Sequence, residues 1–258
     1  MSRLVISGYY GFGNAGDEAM LAAILEAILE VVPEADITVI SGNPRHTAEK
    51  HGVKAVGRFD VTGIFNAIKR CDLLISGGGS LLQDVTSNRS LYYYLSIISL
   101  ANMLGKKVML YAQGIGPLRK PMARKAVGRV LNHVDYITVR DERSKGELLS
   151  MGVTKVPIEV TADAVLAMHP VDTTIGQRLL KDYKLSGVKY RLGVSVRNWK
   201  NCTAYRASLA NALDRLTEEL GTDIIFIPMQ HPDDTAEAKA VEALMTHKPI
   251  VLAQSYTT

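Results

Sequence analysis

The feature that most constrains the fold of this chain is a glycine-rich turn at residues 8–18, GYYGFGNAGDE. It follows a strand-like apolar run at residues 4–7 and leads into a helix-like run at residues 19–32. The glycines that spell G-x-G-x-x-G are Gly11, Gly13 and Gly16. This spacing between a strand and a helix is typical of the first turn of a Rossmann-type α/β sheet. The sequence therefore predicts an open α/β domain that starts with this first strand.

Two acidic residues, Asp17 and Glu18, directly follow the third glycine and occupy the positive end of the helix. A dinucleotide pyrophosphate, which normally binds at this end, would meet two carboxylates. The acid expected about 20 residues further on to bind the ribose is also missing, because the second strand ends in Ser41-Gly42-Asn43. The turn is therefore predicted not to bind NAD. Alternatively, the two acids only complement the helix dipole.

Apolar strand-like runs alternate with helical patterns along the first part of the chain. Strands are predicted at residues 4–7, 37–41, 53–56, 72–76, 107–112, 136–139 and 158–161. Helices are predicted at residues 17–32, 61–70, 80–104, 121–133 and 142–151. Continuous apolar strands separated by helices indicate a parallel sheet covered on both faces. We therefore expect a doubly wound parallel-sheet domain over residues 1–168.

A second Rossmann-like domain is predicted over residues 175–258, after a linker at residues 168–174 that contains Pro170. Its strands are expected at residues 191–196, 223–228 and 250–253, and its helices at residues 204–220 and 235–245. An open α/β sheet usually has about five or six strands, and a shorter sheet leaves an edge unpaired. We therefore expect this second domain to be truncated or completed by a partner.

The composition narrows the classes of partner. With 47% hydrophobic and 22% charged residues, the chain has the content of a globular protein with a full core. A net charge of +4 is too small to indicate a nucleic-acid partner, but it would suit acidic small substrates or peripheral contact with an anionic membrane surface. No transmembrane segment or signal peptide is expected, which favours a cytoplasmic location. Cys71 and Cys202 lack metal-ligand spacing, so no metal site is expected.

Glycine-rich and polar segments follow several of the predicted strands. Because ligands of open α/β sheets bind at the carboxyl ends of the strands, these segments are expected to form the site. Glycine allows close approach to the backbone, and amide and carboxylate groups suit sugar hydroxyls, which both donate and accept hydrogen bonds. The candidate binding residues of the first domain are Asn14, Gly77, Gly78, Gly79, Gln83, Gln113, Arg140, Arg143 and Asp163.

Some residues at these strand ends also have a purely structural interpretation. Asp141 can cap the helix that follows it. Arg143 can pair with Asp141 or Glu147 instead of binding an anion. The only role of Gln83 and Asp84 can be to form local hydrogen bonds. The sequence leaves these alternatives open.

In the second domain, the residues that follow two neighbouring predicted strands suit a ligand with carboxylate and phosphate groups. Arg197 and Lys200 supply a guanidinium and an ammonium after one strand. His231 follows the next strand and can transfer protons near neutral pH. The alternative for His231 is a surface histidine beside prolines.

Five runs follow one another along the chain, namely GYYGFGNAGDEAML, ISGGGSLLQD, YAQGIGP, VRDERS and TADAVL. Together they resemble the polysaccharide pyruvyl transferases over the whole chain. The resemblance implies a glycosyltransferase-B-like fold of two Rossmann-like domains. It also implies transfer of pyruvate from phosphoenolpyruvate, as co-substrate, onto a sugar as a cyclic ketal. The implied acceptor is a ManNAc residue of a lipid-linked or polymeric bacterial cell-wall glycan, which serves indirectly to anchor S-layer proteins.

The implied chemistry needs a general acid, a general base beside the sugar, and cations for carboxylate and phosphate. On this hypothesis Asp17 is the base, with Glu18 as its alternative. Residues Arg197, Lys200 and His231 would serve the donor. The acceptor would be held by Asn14, Gln83, Gln113 and the loop at residues 77–79. The resemblance implies no further cofactor and no metal.

One departure from the family pattern concerns the second domain. The family carries an Arg-Leu-His motif late in that domain, and we find none here. Either this stretch lacks that segment and is inactive alone, or the segment lies beyond it. The competing hypotheses are a nucleotide-sugar glycosyltransferase of the same architecture, an NAD(P)-dependent enzyme, and a non-catalytic sugar-binding domain.

Overall fold

The computed structural model describes residues 1–85, 87–169, 172–185, 190–199 and 201–252. Contacts separate two compact units. The first comprises residues 1–12 and 16–168, and the second comprises residues 13–15 and 169–258. Each unit contains a parallel sheet with helices, which confirms the predicted α/β class.

The first unit is built on an eight-stranded parallel sheet. Its strands are β1 (Arg3–Tyr10), β2 (Asp36–Ser41), β3 (Lys54–Gly57), β4 (Leu73–Ser76), β5 (Gly79–Leu82), β6 (Lys107–Ile115), β7 (Tyr136–Val139) and β8 (Ile158–Val160). The order is β3-β2-β1-β4-β6-β7-β8, and β5 pairs with β6. The strand order reverses between β1 and β4, and open α/β sheets bind ligands beyond the carboxyl ends of strands at such a reversal.

Six α-helices of the described residues accompany this sheet. They are α1 (Ala15–Val31), α2 (Pro44–His51), α3 (Val61–Arg70), α4 (Asn88–Met103), α5 (Pro121–Leu131) and α6 (Glu142–Ser150). A short 3₁₀ turn, Ala164–Ala167, follows β8.

The sheet is apolar on both faces because helices cover both. Val5 and Leu74 belong to one buried cluster, whereas Ile6 and Ile75 belong to the other. Successive strand side chains point to opposite faces, so each strand contributes alternate residues to the two clusters. This arrangement explains the near-continuous apolar runs that predicted the strands.

Helix α2 and strand β5 of the first unit were not predicted from the sequence. Helix α2 was not expected, since PRHTAEKH has little apolar periodicity; instead Asn43 caps it by accepting from the His46 N–H, and Pro44 starts it. A helix was expected from residue 80, but residues 79–82 form β5 and α4 begins at Asn88. Leu82 of β5 is fully buried. A short apolar run of this kind fits a buried strand as well as a helix, so the sequence pattern does not distinguish the two.

The second unit contains a three-stranded parallel sheet in the order β11-β10-β9. Its elements are α7 (Thr174–Asp182), β9 (Tyr190–Val194), α8 (Tyr205–Leu220), β10 (Thr222–Phe226), α9 (Asp233–Glu242) and β11 (Ile250–Val251). Phe226, Leu213 and Val241 lie in its buried core. Helix α7 was not expected, and the predicted end of the last strand, Ala253, lies outside the described residues. Among the helices of the described residues, none has the length and apolarity to cross a bilayer.

Candidate functional site

Glu18 holds the glycine-rich turn after β1. Its Oε1 accepts a hydrogen bond from the Gly11 N–H at 2.8 Å, and the side chain is only 5% exposed. Gly11 has a φ of +78°, and an added Cβ would overlap Ser41 Oγ, so this position requires glycine. The Glu18 carboxylate, which the sequence suggested as an alternative base, therefore stabilises the turn through the Gly11 N–H.

Asp17, the other candidate base, lies beside the second glycine loop. Its Oδ1 is 3.6 Å from the position that a Cβ on Gly79 would occupy. Asp17 is partly exposed, unlike the buried Glu18. Burial, followed by the charge of Asp17, raises the pKa of the Tyr10 phenol beneath the loop. Asp17 is thus the carboxylate that a ligand at this strand edge can reach.

The loop at residues 77–79 packs closely on β1 and α1. An added Cβ on Gly77 would overlap the Tyr10 hydroxyl, and one on Gly78 would overlap Met20 Sδ. Gly79 has a φ of +87°, a conformation that favours glycine. The three glycines thus let the backbone lie directly on the side chains below it.

Gln113 fixes this loop from the neighbouring strand. Its Nε2 donates to Gly77 O at 2.8 Å and to Ser76 Oγ at 2.9 Å. The residue is fully buried, because β6 continues to Ile115 and does not end at residue 112 as predicted. The Gln113 side chain therefore positions the loop and does not lie at the surface.

Arg140, directly after β7, connects strand β5 with the segment that follows β8. Its guanidinium donates to Asp163 Oδ2 at 3.0 Å and to Ser80 Oγ at 3.2 Å. It also packs on Gly114, where an added Cβ would lie 2.8 Å from the guanidinium. The Arg140 side chain is 35% exposed, so it keeps a surface that a ligand can contact. Ser80, which the sequence analysis did not select, was indicated only by its place next to Gly79.

The remaining candidates of the first unit form local contacts. Gln83 Oε1 accepts from the Val85 N–H at 3.0 Å. Asp141 caps α6 by accepting from the Ser144 N–H at 2.7 Å, which confirms the structural alternative and lowers the pKa of the Asp141 carboxyl. Arg143 is exposed and forms no ion pair within the part of the chain that the structure describes.

The second unit places Arg197 and Asn14 on a shared partner. Arg197 Nη2 donates to Gln230 Oε1 at 3.0 Å, and Asn14 Nδ2 donates to the same oxygen at 3.4 Å. Asp234 fixes Gln230 by accepting from its N–H at 2.9 Å. Gln230 was not selected from the sequence, although it stands next to His231.

His231 is held through one ring nitrogen. Its Nδ1 lies 2.8 Å from Thr235 Oγ1, whereas its Nε2 is buried without a hydrogen-bond partner among the described residues. The Nδ1 atom is thus engaged by Thr235, and Nε2 is enclosed by the protein. Lys200 lies outside the described residues.

The two units therefore carry different chemistry. The first combines a partly exposed carboxylate, glycine loops and a guanidinium at the carboxyl ends of its strands, a set that can bind and deprotonate a hydroxyl. The second carries a guanidinium and an imidazole after β9 and β10, a set that can bind an anion and transfer a proton.

Comparisons with known proteins identify a family and a fold. A family model described as "Polysaccharide pyruvyl transferase" matches residues 14–250. A comparison with curated proteins finds no significant match.

Solved structures are similar in fold over nearly the whole chain. A putative UDP-N-acetylglucosamine 2-epimerase from Listeria monocytogenes is 14% identical, with a TM-score of 0.64 over 98% of this chain and 68% of that one. The UDP-GlcNAc 2-epimerase from Methanocaldococcus jannaschii is 17% identical, with a TM-score of 0.63 over 98% and 73%. HepE from Anabaena, in complex with UDP-glucose, is 8% identical, with a TM-score of 0.60 over 98% and 69%. These similarities confirm the predicted glycosyltransferase-B-like fold.

Proposed function

The chain belongs to the polysaccharide pyruvyl transferase family, and from that premise we propose that it moves pyruvate from phosphoenolpyruvate onto a sugar as a cyclic ketal. The observation that carries this proposal is the pairing of family membership with a carboxylate, Asp17, beside the glycine loop at residues 77–79. A hydroxyl of the acceptor sugar must be deprotonated in this reaction, and Asp17 is the partly exposed carboxylate beside that loop that can act as the general base.

The reaction balances with phosphoenolpyruvate and two sugar hydroxyls alone. Protonation of the methylene carbon of phosphoenolpyruvate makes its central carbon electrophilic, and one hydroxyl attacks that carbon. The carbon–oxygen bond to phosphate then breaks, inorganic phosphate leaves, and the second hydroxyl closes the ring. The two hydroxyl protons replace the one added to carbon and the one carried away by phosphate.

In this proposal the residues divide into two groups. Asp17 accepts the hydroxyl proton, and Arg140 with Asp163 binds the acceptor. Arg197, with Lys200 from the same segment, neutralises the carboxylate and phosphate of the donor. His231 supplies a proton to the donor.

The finer assignment rests on the sequence motifs. We place the chain with the cell-wall branch of the family typified by CsaB, acting in the cytoplasm at the inner face of the membrane. The acceptor would then be a ManNAc residue of a secondary cell-wall glycan, lipid-linked or polymeric, with an indirect role in anchoring S-layer proteins.

The test is to incubate the full-length protein with phosphoenolpyruvate and a ManNAc-containing cell-wall fragment. We expect phosphate release together with a glycan that is heavier by one pyruvate ketal in the mass spectrum. Phosphate release without glycan modification would contradict the proposal.

A nucleotide-sugar glycosyltransferase is the second candidate, because the fold is shared with HepE, whose structure contains UDP-glucose. The same incubation with UDP-sugars separates the two functions. Consumption of a UDP-sugar, with phosphoenolpyruvate untouched, would favour the second candidate.

A further inference from the structure

A cluster of three aromatic rings surrounds Arg58 at the carboxyl end of β3. The guanidinium carbon lies 5.1 Å from the ring centroid of Phe12, 5.0 Å from that of Phe59 and 4.7 Å from that of Tyr93. Each distance is within the range of a cation–π interaction. We call Arg58 and Phe59, with Phe12 and Tyr93 behind them, the aromatic platform.

The backbone of the platform is held in place. The Tyr93 hydroxyl donates to Arg58 O at 2.9 Å, and the Arg58 N–H donates to Ser41 O at 2.9 Å. The Asp60 N–H donates to Gly57 O at 2.9 Å and closes a turn around Phe59. Phe59 nevertheless remains 80% exposed. The fold therefore presents a large apolar ring to solvent on a fixed turn, which packing of the unit does not explain.

The cation of the platform also keeps hydrogen-bonding capacity. Within the described residues Arg58 forms no ion pair, and its Nε is enclosed, which leaves the terminal nitrogens of the guanidinium as the donors that can face a ligand. A guanidinium has five N–H donors in a fixed plane. An exposed ring next to such donors suits a pyranose, whose C–H face packs on aromatic rings while its hydroxyls accept hydrogen bonds.

The platform adjoins the candidate site through a shared loop. Phe12 lies in the turn between Gly11 and Gly13, and the same turn leads into the helix that carries Asp17. Strand β2 separates β3 from β1, so the platform lies about 10 Å from the end of β1. A neighbouring sugar ring of a chain can bridge that distance.

We propose that Phe59 and Arg58 form a subsite for a second sugar ring of the acceptor, next to the ring that receives pyruvate. This inference rests on the proposed function, because it assumes a glycan acceptor longer than one sugar. Phe59 is a binding residue in this proposal, and Arg58 both positions its ring and donates hydrogen bonds.

Binding of a ManNAc-containing cell-wall oligosaccharide, measured by calorimetry without phosphoenolpyruvate, tests the subsite separately from the reaction. Phe59→Ala should weaken this binding about tenfold, which corresponds to about 1.4 kcal/mol, and Phe59→Trp should retain it. The control Met103→Ala removes a similarly exposed side chain at the end of α4 and should bind like the wild type. Free ManNAc should bind equally to all variants.

The outcomes are distinct from those of the transfer assay. Equal oligosaccharide affinity of Phe59→Ala and the wild type would overturn the subsite, even if pyruvate transfer is observed. A lower molar mass of Phe59→Ala in light scattering, with unchanged glycan affinity, would reassign Phe59 to self-association and also overturn it. Loss of oligosaccharide binding in Phe59→Ala supports the subsite even if transfer fails.

Discussion

The Glu18 carboxylate accepts a hydrogen bond from the Gly11 N–H at 2.8 Å, so it closes the first glycine turn onto its own helix. The neighbouring Asp17 instead lies beside Gly79. The sequence does not distinguish these two adjacent acids. In the structure Glu18 is buried and has a structural role, whereas Asp17 is partly exposed and accessible to a ligand.

Removing the Glu18 carboxylate should destabilise the first unit. We expect Glu18→Ala to lower the free energy of unfolding in urea by about 1–3 kcal/mol, because the Gly11 N–H loses its acceptor. Glu18→Gln keeps an acceptor oxygen and should lose less. Equal stability of Glu18→Ala and the wild type would show that the turn does not depend on this bond.

Asp17→Asn should abolish pyruvate transfer without altering the fold. A general base typically contributes about 10²- to 10⁴-fold to a rate, so turnover should fall by at least that factor while the circular dichroism spectrum is unchanged. Glu34→Gln, an exposed acid beyond the end of α1, is the matched control and should keep full activity. Near-normal turnover of Asp17→Asn would remove Asp17 from the mechanism.

Much of the fold could be predicted because apolar runs and glycine turns mark a parallel α/β sheet. Helix α3 and strand β7 begin and end at the predicted residues 61–70 and 136–139. The elements that escaped prediction lack that signal. Helix α2 is set by the cap from Asn43, and β5 is a short strand whose apolar residues also fit a helix.

The candidate site was less predictable, since burial depends on where each strand stops. Gln113 was expected at a strand end, yet Ala112 takes a φ of +49° and the strand continues past it. The amide therefore points to the Gly77 backbone. Arg58 was missed because its partners Phe12 and Tyr93 come from distant parts of the chain.

The close approach of Gly77 to Tyr10 makes a second stability prediction. Gly77→Ala should cost about 1–3 kcal/mol of unfolding free energy, since its Cβ would overlap the Tyr10 hydroxyl. Adding Tyr10→Phe removes that hydroxyl and should restore part of the loss. The control Gly146→Ala, in helix α6 with open space around the new Cβ, should be neutral or stabilising. Additive effects of the two site substitutions would contradict the steric explanation.

Arg140 should matter for acceptor binding more than its neighbour Arg143. Arg140→Lys cannot keep both the Asp163 and the Ser80 contacts, because a lysine lacks the planar fork of donors. We expect the acceptor KM to rise about tenfold, a loss of about 1.4 kcal/mol, with Arg143→Lys close to the wild type. If Asp163→Asn and Arg140→Lys are fully additive, the two side chains do not act together.

The buried Glu237 of the second unit predicts a pH-dependent stability. Arg206 donates to both of its carboxylate oxygens at 2.7 and 2.6 Å, and this pairing lowers the pKa of the Glu237 carboxyl. A carboxyl whose pKa is lowered on folding stabilises the protein above its unfolded pKa, and the stabilisation is lost as the pH falls through the folded value.

We therefore expect Glu237→Gln to lose about 3 kcal/mol of unfolding free energy at neutral pH, since it leaves Arg206 unpaired. The difference from the wild type should shrink as the pH falls below the ordinary carboxyl range, because wild-type Glu237 is then protonated as well. Urea unfolding of both proteins between neutral and acidic pH measures this, and a constant difference across that range would show that the ion pair is not its source.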